Sequence, residues 1–120
     1  MTQEEYRSIC REVKELTPHA YPMIGGGGKP SKNQFQIITS AATVFQSYDS
    51  VCAVYYPDIK QLFIGDYWNY DETTREYLSL FVFDHCMDLA FKIGGHAKGF
   101  EGNMRAAIDC GEVIYVEGLK

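Results

Sequence analysis

The sequence predicts an α+β domain in which a four- to five-stranded, mostly antiparallel sheet packs against an N-terminal and a central helix. Three observations predict it. Apolar residues recur at helical spacing at the start of the chain, four period-two segments follow one another across short gaps, and a long apolar stretch of helical spacing comes next. The 120 residues are the size of one domain, 1–120, rather than two.

Thr2-Gln-Glu-Glu5 fits a capping box, in which the Thr hydroxyl accepts from a backbone N–H and Glu5 reaches back. Tyr6, Ile9, Cys10, Val13 and Leu16 then form an apolar stripe, and Thr17-Pro18 ends it, which predicts a helix over 2–16. Residues 24–33, with four consecutive glycines, read as a flexible linker. From there the period changes to two, and strands are predicted at Phe35–Thr39, Thr43–Ser47, Val51–Tyr55 and Gln61–Gly65. The gaps between them are too short for parallel crossovers, so the strands form a meander, with one apolar face turned to the helices. A loop, Gly65–Glu72, leads into a helix over 73–92, with Asp71 or Thr73 as its cap and Glu72 and Glu76 near its positive end. There Leu78, Val82, Leu89 and Ile93 form the apolar stripe, widened by Leu80, Phe83, Met87 and Phe91. A short helix over Phe100–Cys110, capped by Gly111, and a closing strand over Glu112–Val116 complete the domain.

Composition narrows the function. The net charge is -5, which argues against direct binding to a phosphate backbone. No apolar run is long enough to cross a bilayer, and the polar, acidic first residues do not resemble a secretory signal. Cys10, Cys52, Cys86 and Cys110 are widely spaced, with no CxxC pair, as expected for reduced thiols in a cytoplasm. Gly28-Lys29-Pro30-Ser31 is not a phosphate-binding loop: Met23 stands where that motif needs glycine, and Pro30 where it needs a hydroxyl. Asp84, His85 and Asp88 are poorly spaced for three metal ligands on one helix, so no metal and no cofactor is expected. No nucleophile-elbow or zincin signature is present.

Three strings carry a resemblance: Phe45-Gln-Ser-Tyr48-Asp-Ser50, Gly65-Asp-Tyr-Trp68-Asn-Tyr70-Asp-Glu-Thr-Thr74 and Ile108-Asp-Cys-Gly-Glu112. Their order and spacing resemble an uncharacterised small domain of phages and mobile elements of Gram-positive bacteria, typified by FQSY followed by W-D-Y-S-x-T-T. Here Asn69 replaces the usual Asp, and Asp71-Glu72 replaces Ser-x. The resemblance implies a phage-type protein working in the bacterial cytoplasm and assigns no active site.

The chain holds nine Tyr, seven Phe and one Trp. Eight acids lie between Asp49 and Asp88 against two bases, Lys60 and Arg75, and the aromatics crowd the same stretch. Tyrosine and tryptophan bury large areas at small entropic cost, and a local excess of negative charge steers basic partners. The expected partner-binding surface is therefore Tyr55, Tyr56, Asp66, Tyr67, Trp68, Tyr70, Asp71, Glu72 and Glu76. The expected function is non-enzymatic: binding and inhibiting a host defence nuclease, a CRISPR-associated one in the sharpest form, by occupying its basic surface. The rivals are a small enzyme pairing Cys86 or Cys110 with His85 or His96, and a structural module that dimerises through an edge strand.

Overall fold

The computed structural model describes residues 2–5, 7, 20–24, 28–90 and 99–119. Among the described residues, six strands form one sheet in chain order: β1 (Ala20–Ile24), β2 (Pro30–Ile38), β3 (Thr43–Ser47), β4 (Ser50–Tyr56), β5 (Gln61–Ile64) and β6 (Val113–Tyr115). All neighbours are antiparallel except β5 and β6, which run parallel. Besides the helical residues 3–5 and 7, the described residues form helices α1 (Glu72–His85), α2 (Met87–Ala90) and α3 (Phe100–Asp109). The α+β class and the four-strand meander match the expectation, and the sheet is larger by β1 and by the first half of β2.

Of the linker expected over 24–33, Ile24 and residues 30–33 are strand, and residues 25–27 lie outside the described residues. Ile24 ends β1 and pairs with Pro30, the first residue of β2. Pro30 has no ladder donor, so it tolerates only a strand's first position or an edge, and the Pro22 of β1 sits on an edge strand for the same reason. Two prolines and four glycines hid this hairpin from a periodicity reading. Of the helix expected over 2–16, residues 3–5 and 7 are helical, and the backbone N–H of Glu5 donates to Thr2 Oγ1 at 3.1 Å, one half of the expected capping box. The rest of that helix lies outside the described residues.

The sheet also departs from the expected single apolar face, because β4 is buried from Val51 to Tyr56. On the helix side, Phe45, Leu62 and Ile64 meet Leu78, Phe81, Phe100 and Met104. On the opposite side, Ile37, Val44, Val54 and Phe63 meet Val116 and Leu119. A bulge sets the phase of β4: Phe45 pairs with Ala53 and Gln46 with Val51, so Cys52 is the extra residue. Both Cys52 and Ala53 consequently face the helices.

The helix expected over 73–92 stops at His85. Cys86 has φ -117 and ψ 63, outside the helical region, and its N–H still closes onto Val82 O at 2.9 Å before α2 begins. Leu78, Val82 and Leu89 are buried as expected, whereas Phe83 is 58% exposed. Phe91 and Ile93 lie outside the described residues. Helix α3 and β6 fall within one or two residues of their expected bounds, and Gly111 terminates α3 at φ +83, a conformation suited to glycine. None of the described helices is long and apolar enough to cross a membrane.

Candidate functional site

The β3–β4 hairpin and the loop after β5 meet at one end of the sheet. The hairpin turn holds only Tyr48 and Asp49, because Ser47 pairs directly with Ser50. Tyr48 is left-handed at φ +53, an uncommon backbone state for a bulky residue, and its N–H donates to Asn33 O at 2.7 Å. The loop after β5 starts with Gly65, whose N–H donates to Cys52 O. It then descends through two tight turns, Trp68 N–H to Gly65 O and Tyr70 N–H to Tyr67 O, both at 3.2 Å.

Trp68 anchors the loop. It is 5% exposed, packed in the helix-side core, and the Arg105 guanidinium of α3 sits 5.4 Å from its ring centroid. Asn69 ties the loop to α1 and α3, accepting from Arg75 Nη1 at 2.9 Å and donating to Glu101 Oε1 at 3.1 Å. The Asn69 bond, then the bond and charge of Arg105 and the charge of Arg75, hold the Glu101 carboxyl below the usual carboxylate range. With Trp68 and Asn69 fixed, the side chains that flank them, Tyr67 and Tyr70, have defined positions.

Asp71 closes the arrangement. It is the extended N-cap of α1, and its Oδ1 accepts from Thr74 N–H at 2.7 Å. Its Oδ2 accepts from the Tyr48 hydroxyl at 3.2 Å. Burial pushes this carboxyl up, but the bonds from Thr74 and Tyr48 and the nearby Arg75 charge outweigh it and hold the group below its ordinary value. Beneath, Ser47 Oγ and Thr74 Oγ1 share a buried hydrogen bond of 2.8 Å. The result is a cleft of about 450 Å³ between turn and loop, walled by Tyr48, Tyr67 and Tyr70 and edged by Asp49 and Asp71. Tyr70 stands nearly perpendicular to both neighbours, at 72° to Tyr48 and 78° to Tyr67, with ring centroids 6.0 and 5.7 Å apart.

The expected surface therefore divides. Tyr67, Tyr70 and Asp71 line the cleft, and Glu72 and Glu76 are exposed on the first turns of α1. Tyr55, Tyr56 and Trp68 are not surface residues. Tyr55 is 5% exposed and donates to Asp88 Oδ1 at 2.9 Å, while Tyr56 is buried against Phe63 in the opposite core. Both tyrosines lie on β4, a central strand with both faces covered. Asp66 faces the segment after β6, accepting from the Tyr115 hydroxyl and from Gly118 N–H at 2.9 Å. That bond and burial push the Tyr115 phenol up to about 12. Sequence reasoning missed Tyr48 and Asp49, although they belong to the FQSYDS string, one of the three that carry the resemblance.

Cys86 is fully buried, and burial, with the Asp88 charge, pushes its thiol far up and keeps it protonated. The neighbouring His85 ring is turned to Gln36, Nε2 to Oε1 at 2.7 Å, and lies 5.0 Å from the Phe81 ring, where burial lowers its pKa. Cys110 is exposed at the end of α3. Cys10 and His96 lie outside the described residues. Among the described residues no group of three His, Cys, Asp or Glu is placed to hold a metal.

Fold and cleft thus define a class, an α+β domain with a tyrosine-walled, acidic recess at one sheet end. The chain matches no family model, and comparisons with curated proteins and with solved structures return no match.

Proposed function

We propose that this protein is a non-enzymatic binding domain that docks onto a basic protein surface through the cleft and its acidic rim. One observation carries the reading: two of the three strings that resemble a phage-type domain, Phe45–Ser50 and Gly65–Thr74, converge on this recess. Tyr70 is 62% exposed and Tyr48 38%, beside Asp49, Asp71, Glu72 and Glu76. Exposed tyrosines held rigid by neighbours are strong interface anchors, and rim carboxylates raise association rates with basic partners. In the sharpest form the partner is a defence nuclease of the bacterial host, CRISPR-associated or similar, whose nucleic-acid channel supplies the basic surface.

The test is affinity capture from bacterial lysate with mass spectrometry, together with a phage-protection assay under CRISPR targeting. The expected result is a nucleic-acid enzyme held by the wild type and protection of the phage. In a triple variant, Asp49→Lys, Glu72→Lys and Glu76→Lys, association at low salt should slow on the order of tenfold or more. Capture of no nucleic-acid enzyme, with no protection, would overturn the inhibitor form. Unchanged association in the charge-reversal variant would overturn the role of the acidic rim.

A further inference from the structure

Among the described residues, the lining of the cleft contains three phenol rings and two carboxylates and no Lys, Arg or His. The nearest base in sequence, Arg75, acts on Asp71 through its charge but turns its guanidinium to Asn69 Oδ1. The described lining is therefore anionic and aromatic. Ring faces carry negative quadrupole density, and rings standing at 72° and 78° to one another offer faces to a cation from more than one side.

The Asp71 carboxylate sharpens the choice of cation. Oδ1 holds Thr74 N–H and Oδ2 holds the Tyr48 hydroxyl. Thr74 also bonds this carboxylate through its side chain, so three of about four acceptor positions are taken and one stays open to an incoming donor. A guanidinium donates there while its plane stacks on aromatic faces, whereas an ammonium is a strongly hydrated point charge. The partial positive charge at the start of α1 opposes any cation, and Asp71 and Glu72 offset it. The volume, about 450 Å³, has room for a whole arginine side chain.

We propose that the cleft is a receptor for one arginine side chain of the partner protein, its guanidinium donating to Asp71 and stacked against Tyr70, with Tyr48, Tyr67 and Asp49 around it. The inference rests on the docking function above and names the chemistry that function recognises.

The experiment is an NMR titration of the full chain with N-acetyl-arginine methylamide, read at the tyrosine ring and Asp71 resonances. Parallel arms use the lysine and citrulline analogues and free arginine. The expected result is saturable shifts at Tyr48, Tyr67 and Tyr70, with the lysine analogue several-fold weaker and citrulline silent. Tyr70→Ala removes an exposed ring, and Asp71→Asn keeps a side chain that caps helices about as well as aspartate. Each should weaken the arginine response by about fivefold to tenfold, within the range of a cation–π contact or an ion pair. Equal binding of lysine or citrulline, or shifts confined to other residues, would overturn the proposal. Free arginine binding ten times more tightly than the blocked amide would overturn its protein source. A captured basic partner together with no arginine response would overturn the arginine site alone. Absence of both would overturn the docking function as well.

Discussion

Asp71 caps a helix and walls a cleft with the same carboxylate. Because Thr74 N–H and the Tyr48 hydroxyl both favour its charged form, its folded pKa lies below the ordinary 3.8. A depressed carboxyl stabilises the fold fully above its unfolded value and loses that contribution as pH falls through the folded one. Asp71→Ala should therefore cost about 1 kcal/mol at neutral pH, the usual worth of an N-cap. The gap between variant and wild type should narrow below about pH 4, where the unfolded carboxyl takes up its proton. Urea melts at pH 7 and pH 3 measure it, and a gap that stays constant would show that the charge adds nothing to the cap.

At the element scale the decisive joint is between the end of β3 and the first turn of α1. Ser47 and Thr74 share a buried hydroxyl pair, 27 residues apart in sequence, and this bond brings turn and loop together. Thr74→Val keeps the shape and removes one partner, leaving Ser47 with an unsatisfied buried hydroxyl, so a loss of about 1–3 kcal/mol is expected. Thermal melts of Thr74→Val and of the double variant Ser47→Ala/Thr74→Val test it. The double variant should recover part of the loss, since apolar groups on both sides leave nothing unpaired. Helix α1 itself was legible from its cap and stripe. Its end was not, because Cys86 and Met87 continue an apolar pattern that periodicity cannot distinguish from helix.

For the molecule as a whole, the segment after β6 closes the structure. Leu119 O accepts from Asp66 N–H at 3.0 Å, Gly118 N–H donates to Asp66 Oδ2, and Val116 and Leu119 complete the core opposite the helices. A Cβ on Gly65 would come within 2.8 Å of Leu119 O, so the backbones touch where the cleft loop starts. Leu119→Ala empties a side chain that is 5% exposed and should destabilise by about 2–5 kcal/mol. Chemical denaturation measures the loss, and a cost under about 1 kcal/mol would mean that the site collapses around the smaller residue.

The sequence by itself determined the α+β class, the order of β2 to β5, the cap and buried stripe of α1, and the concentration of acids and tyrosines between Asp49 and Asp88. These are local properties, written in periods of two and 3.6 and in cap and turn chemistry. The tertiary structure decided which of those residues form a site. Tyr55 and Tyr56 read as surface candidates, but their strand is central, and Trp68 reads as an anchor for a partner and is instead the anchor of its own loop. Tyr48 and Asp49 read as a turn, and pairing across β3, β4 and the loop after β5 places them opposite Tyr67, Tyr70 and Asp71. Burial and convergence depend on contacts between distant segments, which no window of sequence contains, and for that reason the composition located a region and only the fold located the cleft.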